Sequence, residues 1–335
     1  MDEKQSEKAP SGGEAILSER SLPMDDGAKL HLRRWTPAGQ RPVGAVLLVH
    51  GMAEHAGRYE RLARRFCAEG LETWAADQRG HGLTANLQVN AAGAGGLLGH
   101  CADGDGFSRV VADINMVSEA IHRERPGLPV ILMGHSWGSF LVKEYLEVFD
   151  TGPAGANLAG CVLSGTTDSG GAKVVFGAPF LTALALLKGQ RAKSPLAHSL
   201  SDGAFNKPFR PNRTPYDWLT RDEAEIDRLA DDPFAGMMCS VGFYRDMTRA
   251  MLRIHKMSNI KKIRTDLPIY LFSGSADPVG DMGRGPTALV ALLRKAGVRD
   301  IEFVLYPDAR HEPLNETNRE EVTVNLLAWI KKHLG

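Results

Sequence analysis

The 335-residue sequence predicts an α/β fold, a mostly parallel eight-stranded sheet with helices on both faces and a helical insertion. Three observations predict it. Short apolar runs alternate with helix-like segments, the pattern of a parallel sheet covered on both sides. One such run, Pro129–Met133, leads straight into Gly134-His135-Ser136-Trp137-Gly138 and then into the helical segment Phe140–Leu146. Finally, the run ending near Ser164 and the next, starting at Pro268, are separated by about a hundred residues without the alternation, too many for a connection inside a compact domain.

Taken in order, Glu14–Ser18 and Leu30–Trp35 read as a strand pair joined across Asp26-Gly27, an antiparallel edge. Ala45–Val49 reads as a buried strand, Tyr59–Glu69 as a helix, Glu72–Ala76 as a strand and Phe107–Arg123 as a helix. Pro129–Met133 and its helix follow, then the strand Ala159–Leu163. Beyond the long irregular span come the strand Pro268–Phe272, the helix Gly285–Ala296, the strand Ile301–Leu305 and the helix Arg319–His333. The expected organisation is a disordered tail over 1–13, a core built from 14–165 and 267–335, and a helical lid over 166–266.

Lys plus Arg number 40 and Asp plus Glu number 40, so no global field favours nucleic acid or an anionic surface. Cys67, Cys101, Cys161 and Cys239 are widely spaced without a C-x-x-C pair, which argues against a zinc or redox motif and for buried reduced thiols. The opening residues are charged where a secretory signal is apolar, and no apolar stretch reaches the roughly 20 residues that span a bilayer. A cytoplasmic protein is expected.

The chemistry centres on Ser136. A backbone that turns sharply from strand to helix exposes the serine at the strand tip, and glycines two residues to each side avoid collisions with strand and helix. A serine hydroxyl is a weak nucleophile, so it needs a base and an acid that orients the base. Asp277 lies just past the strand Pro268–Phe272, and His311 lies past Ile301–Leu305, giving the chain order serine, acid, histidine. Asp168, after the strand ending at Leu163, is the rival acid. For the oxyanion, the backbone N–H of Trp137 and that of Met52, in the loop after Ala45–Val49, are the expected donors; Gly51 allows close approach of substrate. His50 and His55 lack a third partner for a metal and are expected to hydrogen-bond, and Asp77-Gln78-Arg79-Gly80-His81-Gly82 reads as an ion-paired turn. The glycine-rich Ala91–Gly96 is not followed by Lys-Ser or Lys-Thr, so it reads as a loop near the site mouth rather than a phosphate cradle.

Together, His50-Gly51-Met52-Ala53-Glu54-His55-Ala56-Gly57-Arg58-Tyr59, Asp77 to Gly82, Gly134 to Gly138, Gly274-Ser275-Ala276-Asp277-Pro278-Val279 and the segment around Ala309-Arg310-His311-Glu312 resemble the monoacylglycerol lipase and lysophospholipase branch of the α/β-hydrolases. The resemblance runs from about residue 14 to the C-terminus. It implies an α/β-hydrolase fold, Ser136, Asp277 and His311 as a triad, Met52 and Trp137 as oxyanion donors, and a helical lid over an apolar tunnel. The chain departs from it at Ala53, where many relatives carry glycine, and in a longer, glycine-rich Ala91–Gly99 segment.

Val174–Leu187 is apolar nearly all round, and both a helix buried between lid and core and a lipid-facing entrance account for it. Leu181, Leu184 and Leu187 are the expected substrate-binding residues of this segment. The basic residues from Arg253 to Arg264 read as a solvated face. The expected function is a serine hydrolase that cleaves carboxyl esters of glycerol lipids through an acyl-enzyme, with no cofactor or metal and with peripheral membrane contact through the lid as one reading. The alternatives are a broad carboxylesterase or thioesterase, a serine aminopeptidase, for which Glu223 and Glu225 are the candidate ammonium-binding pair, and a non-catalytic ligand-binding protein.

Overall fold

A computed structural model describes residues 14–152, 155, 158–168, 170–200 and 202–334; the expected tail over 1–13 lies outside them. Eight strands form one sheet: β1 (Ala15–Pro23), β2 (Lys29–Pro37), β3 (Gly44–Val49), β4 (Leu71–Ala76), β5 (Val130–His135), β6 (Leu158–Ser164), β7 (Ile269–Gly274) and β8 (Ile301–Tyr306), in the order β1-β2-β4-β3-β5-β6-β7-β8. β1 and β2 are antiparallel, β2 joins β4 antiparallel, and every other pairing is parallel. β3, β4, β5 and β7 are buried at every residue, which is why they read as continuous apolar runs rather than alternating ones.

The helices α1 (Glu60–Ala68), α2 (Gly106–Glu124) and α3 (Trp137–Val148) make the crossovers between the central strands. After β6 come α4 (Gly171–Lys188), α5 (Pro195–Leu200), α6 (Glu223–Ala230), α7 (Val241–Ile254) and α8 (Met257–Ile260); α9 (Arg284–Ala296) connects β7 to β8, and α10 (Arg319–Leu334) closes the chain. Two cores result. On one face of the sheet α1 and α10 pack through Leu62, Phe66, Leu326 and Ile330. On the other, α2, α3 and α9 pack through Val110, Ile114, Leu141 and Leu289, and α7 joins them with Phe243 and Ile254. Each such fully buried side chain contributes about 1.5–3 kcal/mol relative to leaving it in water.

Strand order reverses between β3 and β5, which lie side by side with Val49 opposite Gly134. Loops leaving the carboxyl ends of two such strands diverge and open a crevice. Here those loops are the ones carrying Gly51 and Met52 on one side and Ser136 on the other.

Candidate active site

Ser136 occupies the elbow between β5 and α3 with φ 52° and ψ −122°. The left-handed φ of a non-glycine residue is a strained arrangement. It is enforced by a hydrogen bond from its N–H to the Ser164 carbonyl (2.8 Å) and by close packing on both sides. A Cβ on Gly134 would lie 2.4 Å from the Gly138 carbonyl oxygen, and one on Gly138 would lie 2.2 Å from that of Val49, so the two glycines are steric requirements of the turn.

His311 follows β8 and Asp277 follows β7, so both stand at the same end of the sheet as Ser136. The Ser136 Oγ is 2.8 Å from His311 Nε2, and His311 Nδ1 is 3.0 Å from both carboxylate oxygens of Asp277. Asp277 is itself held by the Val279 N–H (2.9 Å) and the Ser273 hydroxyl (3.3 Å). Burial pushes the His311 pKa down, but the Asp277 charge and hydrogen bond, aided by Glu312 and Glu54, outweigh it and raise the pKa above 6.5. The rival acid Asp168 accepts instead from the Gly170 N–H (3.3 Å). His135 packs 5.0 Å from the His311 ring; burial and the charge of His311 push its pKa down to about 4, so it stays neutral.

The Trp137 N–H sits at the first position of α3, where no carbonyl lies one helical turn back to receive it. The Met52 N–H donates to no backbone acceptor among the described residues. Met52 lines the cavity above Ser136, and Trp137 directly follows Ser136, which also lines it. Gly51 lies there too: a Cβ on it would come within 3.2 Å of Ser136 Cβ and 2.7 Å of Glu54 Oε1. The Trp137 indole, by contrast, is buried and stacked on His81 at 5.1 Å, so this side chain packs the core. Ala53 has φ +56°, the left-handed conformation in which glycine is at ease. The alanine here therefore carries backbone strain that glycine would avoid.

Beneath the site runs an ion cluster that pattern reading did not single out. Glu54 accepts from the Gly51 N–H (2.5 Å), the Tyr59 hydroxyl (2.8 Å) and Arg58 (2.6 Å). Arg58 also donates to both oxygens of Glu312, each at 2.9 Å. One guanidinium thus ties the loop that carries Met52 to the loop that carries His311. Burial pushes the Glu312 carboxyl up, but the charge and hydrogen bonds of Arg58 prevail and hold it at about 2. All three residues lay within the motif segments, yet only their contacts reveal the bridge.

His50 donates from Nδ1 to the Gly51 carbonyl (2.8 Å) and accepts the Gln78 N–H at Nε2 (2.9 Å). His55 accepts the Gly57 N–H (3.2 Å) and reaches Asp232 (2.7 Å). Neither faces a metal-binding set, and no group of His, Cys, Asp and Glu fit to hold a metal ion occurs among the described residues. Asp77 and Arg79 are ion-paired, with Arg33 and with Asp26 and Asp113, respectively.

The cavity over Ser136 and His311 measures about 550 Å³. The 203–219 segment walls it with polar as well as apolar groups, Asn206, Lys207, Arg210, Asn212, Tyr216 and Trp218 among them. Trp218 lies 5.0 Å from the His311 ring. Leu181, Leu184 and Leu187 do not line the cavity. Leu181 is buried in the core and Leu184 packs at its edge, on the side of α4 that meets α7. Leu187 is 84% exposed on the other side, with Phe176 (76%) and Leu186 (83%). The segment is therefore both buried and exposed, one face each. Glu223 and Glu225 also lie outside the cavity, Glu225 being paired with Arg61 and Arg228.

Residues 40–318 match the family model described as serine aminopeptidase, S33. The chain is similar to a monoacylglycerol lipase of Mycolicibacterium smegmatis, 28% identical over 317 residues, covering 95% of this chain and 98% of the relative. It is 25% identical to human monoglyceride lipase over 290 residues, 85% of this chain and 80% of that one. Among solved structures it resembles a thermostable carboxyl esterase from Bacillus coagulans in complex with glycerol, with a TM-score of 0.85 and 26% identity over 95% of this chain and 99% of the esterase.

Proposed function

The chain belongs to the serine aminopeptidase, S33 family of α/β-hydrolases, and from that premise we propose that it is a serine hydrolase cleaving carboxyl esters of glycerol lipids, with Ser136, His311 and Asp277 as its catalytic triad. The observation that carries the reading is the continuous chain of contacts from Asp277 through His311 to Ser136 at the foot of a cavity. The monoacylglycerol lipases among its relatives support a glycerol-lipid ester as substrate.

In this mechanism the Ser136 Oγ attacks the ester carbonyl while His311 Nε2 takes its proton, and Asp277 stabilises the imidazolium. The carbonyl oxygen becomes an anion received by the Met52 and Trp137 N–H groups. Collapse breaks the ester C–O bond, and His311 returns the proton to the departing alcohol. Water, deprotonated by His311, then attacks the acyl-enzyme, and collapse of the second intermediate frees the fatty acid and Ser136. No step requires a cofactor.

Residues 166–266 serve as the lid in this reading, and the exposed face of α4, carrying Phe176, Leu186 and Leu187, makes the peripheral membrane contact. No described helix is long and apolar enough to cross a membrane. A cytoplasmic setting fits the four free, buried thiols. An aminopeptidase would need a carboxylate free for the substrate ammonium; Glu54 and Glu312, which line the cavity, are both taken by Arg58.

The test is labelling of the purified protein by a fluorophosphonate probe, followed by turnover of monooleoylglycerol, lysophosphatidylcholine, p-nitrophenyl butyrate and an aminoacyl amide. Labelling lost in Ser136→Ala, with the glycerol lipids turned over best, is expected. Absence of labelling, or a preference for the amide, would overturn the proposal.

A further inference from the structure

Lys207 and Arg210 stand in the wall of the same cavity as Ser136 and His311, and neither enters an ion pair or a hydrogen bond among the described residues. The neighbouring arginines all do. Arg213 pairs with Asp227, Arg221 with Glu316, Arg228 with Glu225 and Arg319 with Asp222. Among the described residues, unpaired cations also occur elsewhere on the surface, at Arg41, Arg123 and Arg294, but of the lysines and arginines lining the cavity Arg58 is paired and Lys207 and Arg210 are not. Arg310 adds a third positive charge close by, its guanidinium 4.3 Å from the ring of Phe209 and its hydrogen bonds directed to the carbonyls of Asp217 and Thr220.

The wall that carries them is tied in place. The Asn206 amide donates to the Thr214 carbonyl (2.7 Å) and accepts from the Trp218 N–H (2.9 Å), and Asn212 donates to the Asn206 carbonyl (2.9 Å). Asp217, the nearest carboxylate in this segment, is occupied by the N–H groups of Arg213 and Thr214 and the Thr214 hydroxyl. The two carboxylates of the cavity lining, Glu54 and Glu312, are at its floor and bound to Arg58. Among the described residues the cavity lining therefore offers no free carboxylate and two free cations.

We propose that the substrate carries a phosphate on its glycerol half and that Lys207 and Arg210 bind it, making them specificity-determining residues for a monoacylglycerol phosphate rather than a neutral monoacylglycerol. This rests on the ester-hydrolase reading above. A phosphate oxygen is the acceptor that an ammonium and a guanidinium satisfy together, whereas a neutral glycerol uses neither charge. The bond broken stays the acyl ester: water adds to the acyl carbon, and glycerol phosphate departs with the returned proton.

The test compares kcat/KM for 1-oleoylglycerol 3-phosphate, lysophosphatidylcholine and monooleoylglycerol in the wild type and in a Lys207→Gln/Arg210→Gln variant, with p-nitrophenyl butyrate as the control ester. Both cations are solvent-exposed, so the expected loss is about tenfold on the phosphate monoester, with the neutral lipid and the control within about twofold. Calorimetric binding of glycerol 3-phosphate should weaken in parallel, a readout that does not depend on turnover. Failure of the control ester in the wild type would count against the hydrolase reading. Intact control activity with equal kcat/KM changes on all three lipids, or unaltered glycerol 3-phosphate binding, would overturn the phosphate proposal. A loss confined to lysophosphatidylcholine would also overturn it, by making the site one for a zwitterionic headgroup.

Discussion

Replacing Arg58 with Met should do more damage than removing any single hydrogen bond near the site. The Arg58 side chain is 11% exposed, and its guanidinium is shared between Glu54 and Glu312, themselves 5% and 6% exposed. Without it two carboxylates face each other in a low-dielectric pocket. The fall of the Glu312 carboxyl from 4.5 to about 2 corresponds to about 3 kcal/mol of stabilisation near neutral pH. Orphaning a buried ion pair costs about 3–5 kcal/mol. For a domain of this size the melting temperature should drop on the order of 6–10 °C. The sign with pH follows from the depressed carboxyl: its stabilisation is present above 4.5 and fades as pH falls towards 2, so wild type and variant should converge in acid and separate towards neutrality. Because Glu54 also holds the Gly51 N–H, the loop bearing Met52 should loosen, and kcat should fall about tenfold to a hundredfold. Differential scanning calorimetry from pH 2.5 to 8 measures the first effect and esterase kinetics the second. A Glu54→Gln/Arg58→Met/Glu312→Gln variant, which removes the charges together, should recover part of the lost melting temperature. If it melts no higher than Arg58→Met, or if Arg58→Met melts within about 1 °C of wild type at pH 7, unpaired charge is not what the cluster prevents.

Three further outcomes are expected. Ser136→Ala and His311→Ala should each lose nearly all turnover while leaving the fold intact, and Asp277→Asn should lose somewhat less; a crippled Asp168→Asn beside a mild Asp277→Asn would reverse the acid assignment. Since the base works only when neutral and Asp277 raises the His311 pKa, the acid limb of kcat/KM should lie above pH 6.5 and move to lower pH in the residual activity of Asp277→Asn; a limb below 6.5 in the wild type would contradict this coupling. Phe176→Ser/Leu187→Ser, on the exposed face of α4, should weaken binding to lipid vesicles and slow hydrolysis of vesicle-borne monoacylglycerol while sparing p-nitrophenyl acetate. Equal activity on both substrates would remove α4 from the lipid contact.

Local sterics and strand ends are what can be read directly from this chain. The elbow was legible because Gly134, Ser136 and Gly138 meet their constraints within five residues, and the glycines are required by contacts closer than 2.5 Å. Met52, Asp277 and His311 were legible because each follows an apolar strand, and parallel strands bring their carboxyl ends to one edge however far apart they lie in the chain. Tertiary structure decided the rest. Asp168 and Asp277 both follow strands, and only the packing of β8 beside β7 puts His311 within 3.0 Å of Asp277. Val174–Leu187 is apolar nearly all round, so no periodicity could say which face is buried; α7 decides it by covering Leu181 and leaving Leu187 in solvent. The 203–219 wall of the cavity consists of short turns held by side-chain hydrogen bonds from Asn206, Asn212 and Asp217. Such turns leave no hydrophobic period to read, so the residues placed closest to the substrate space by this wall became visible only in three dimensions.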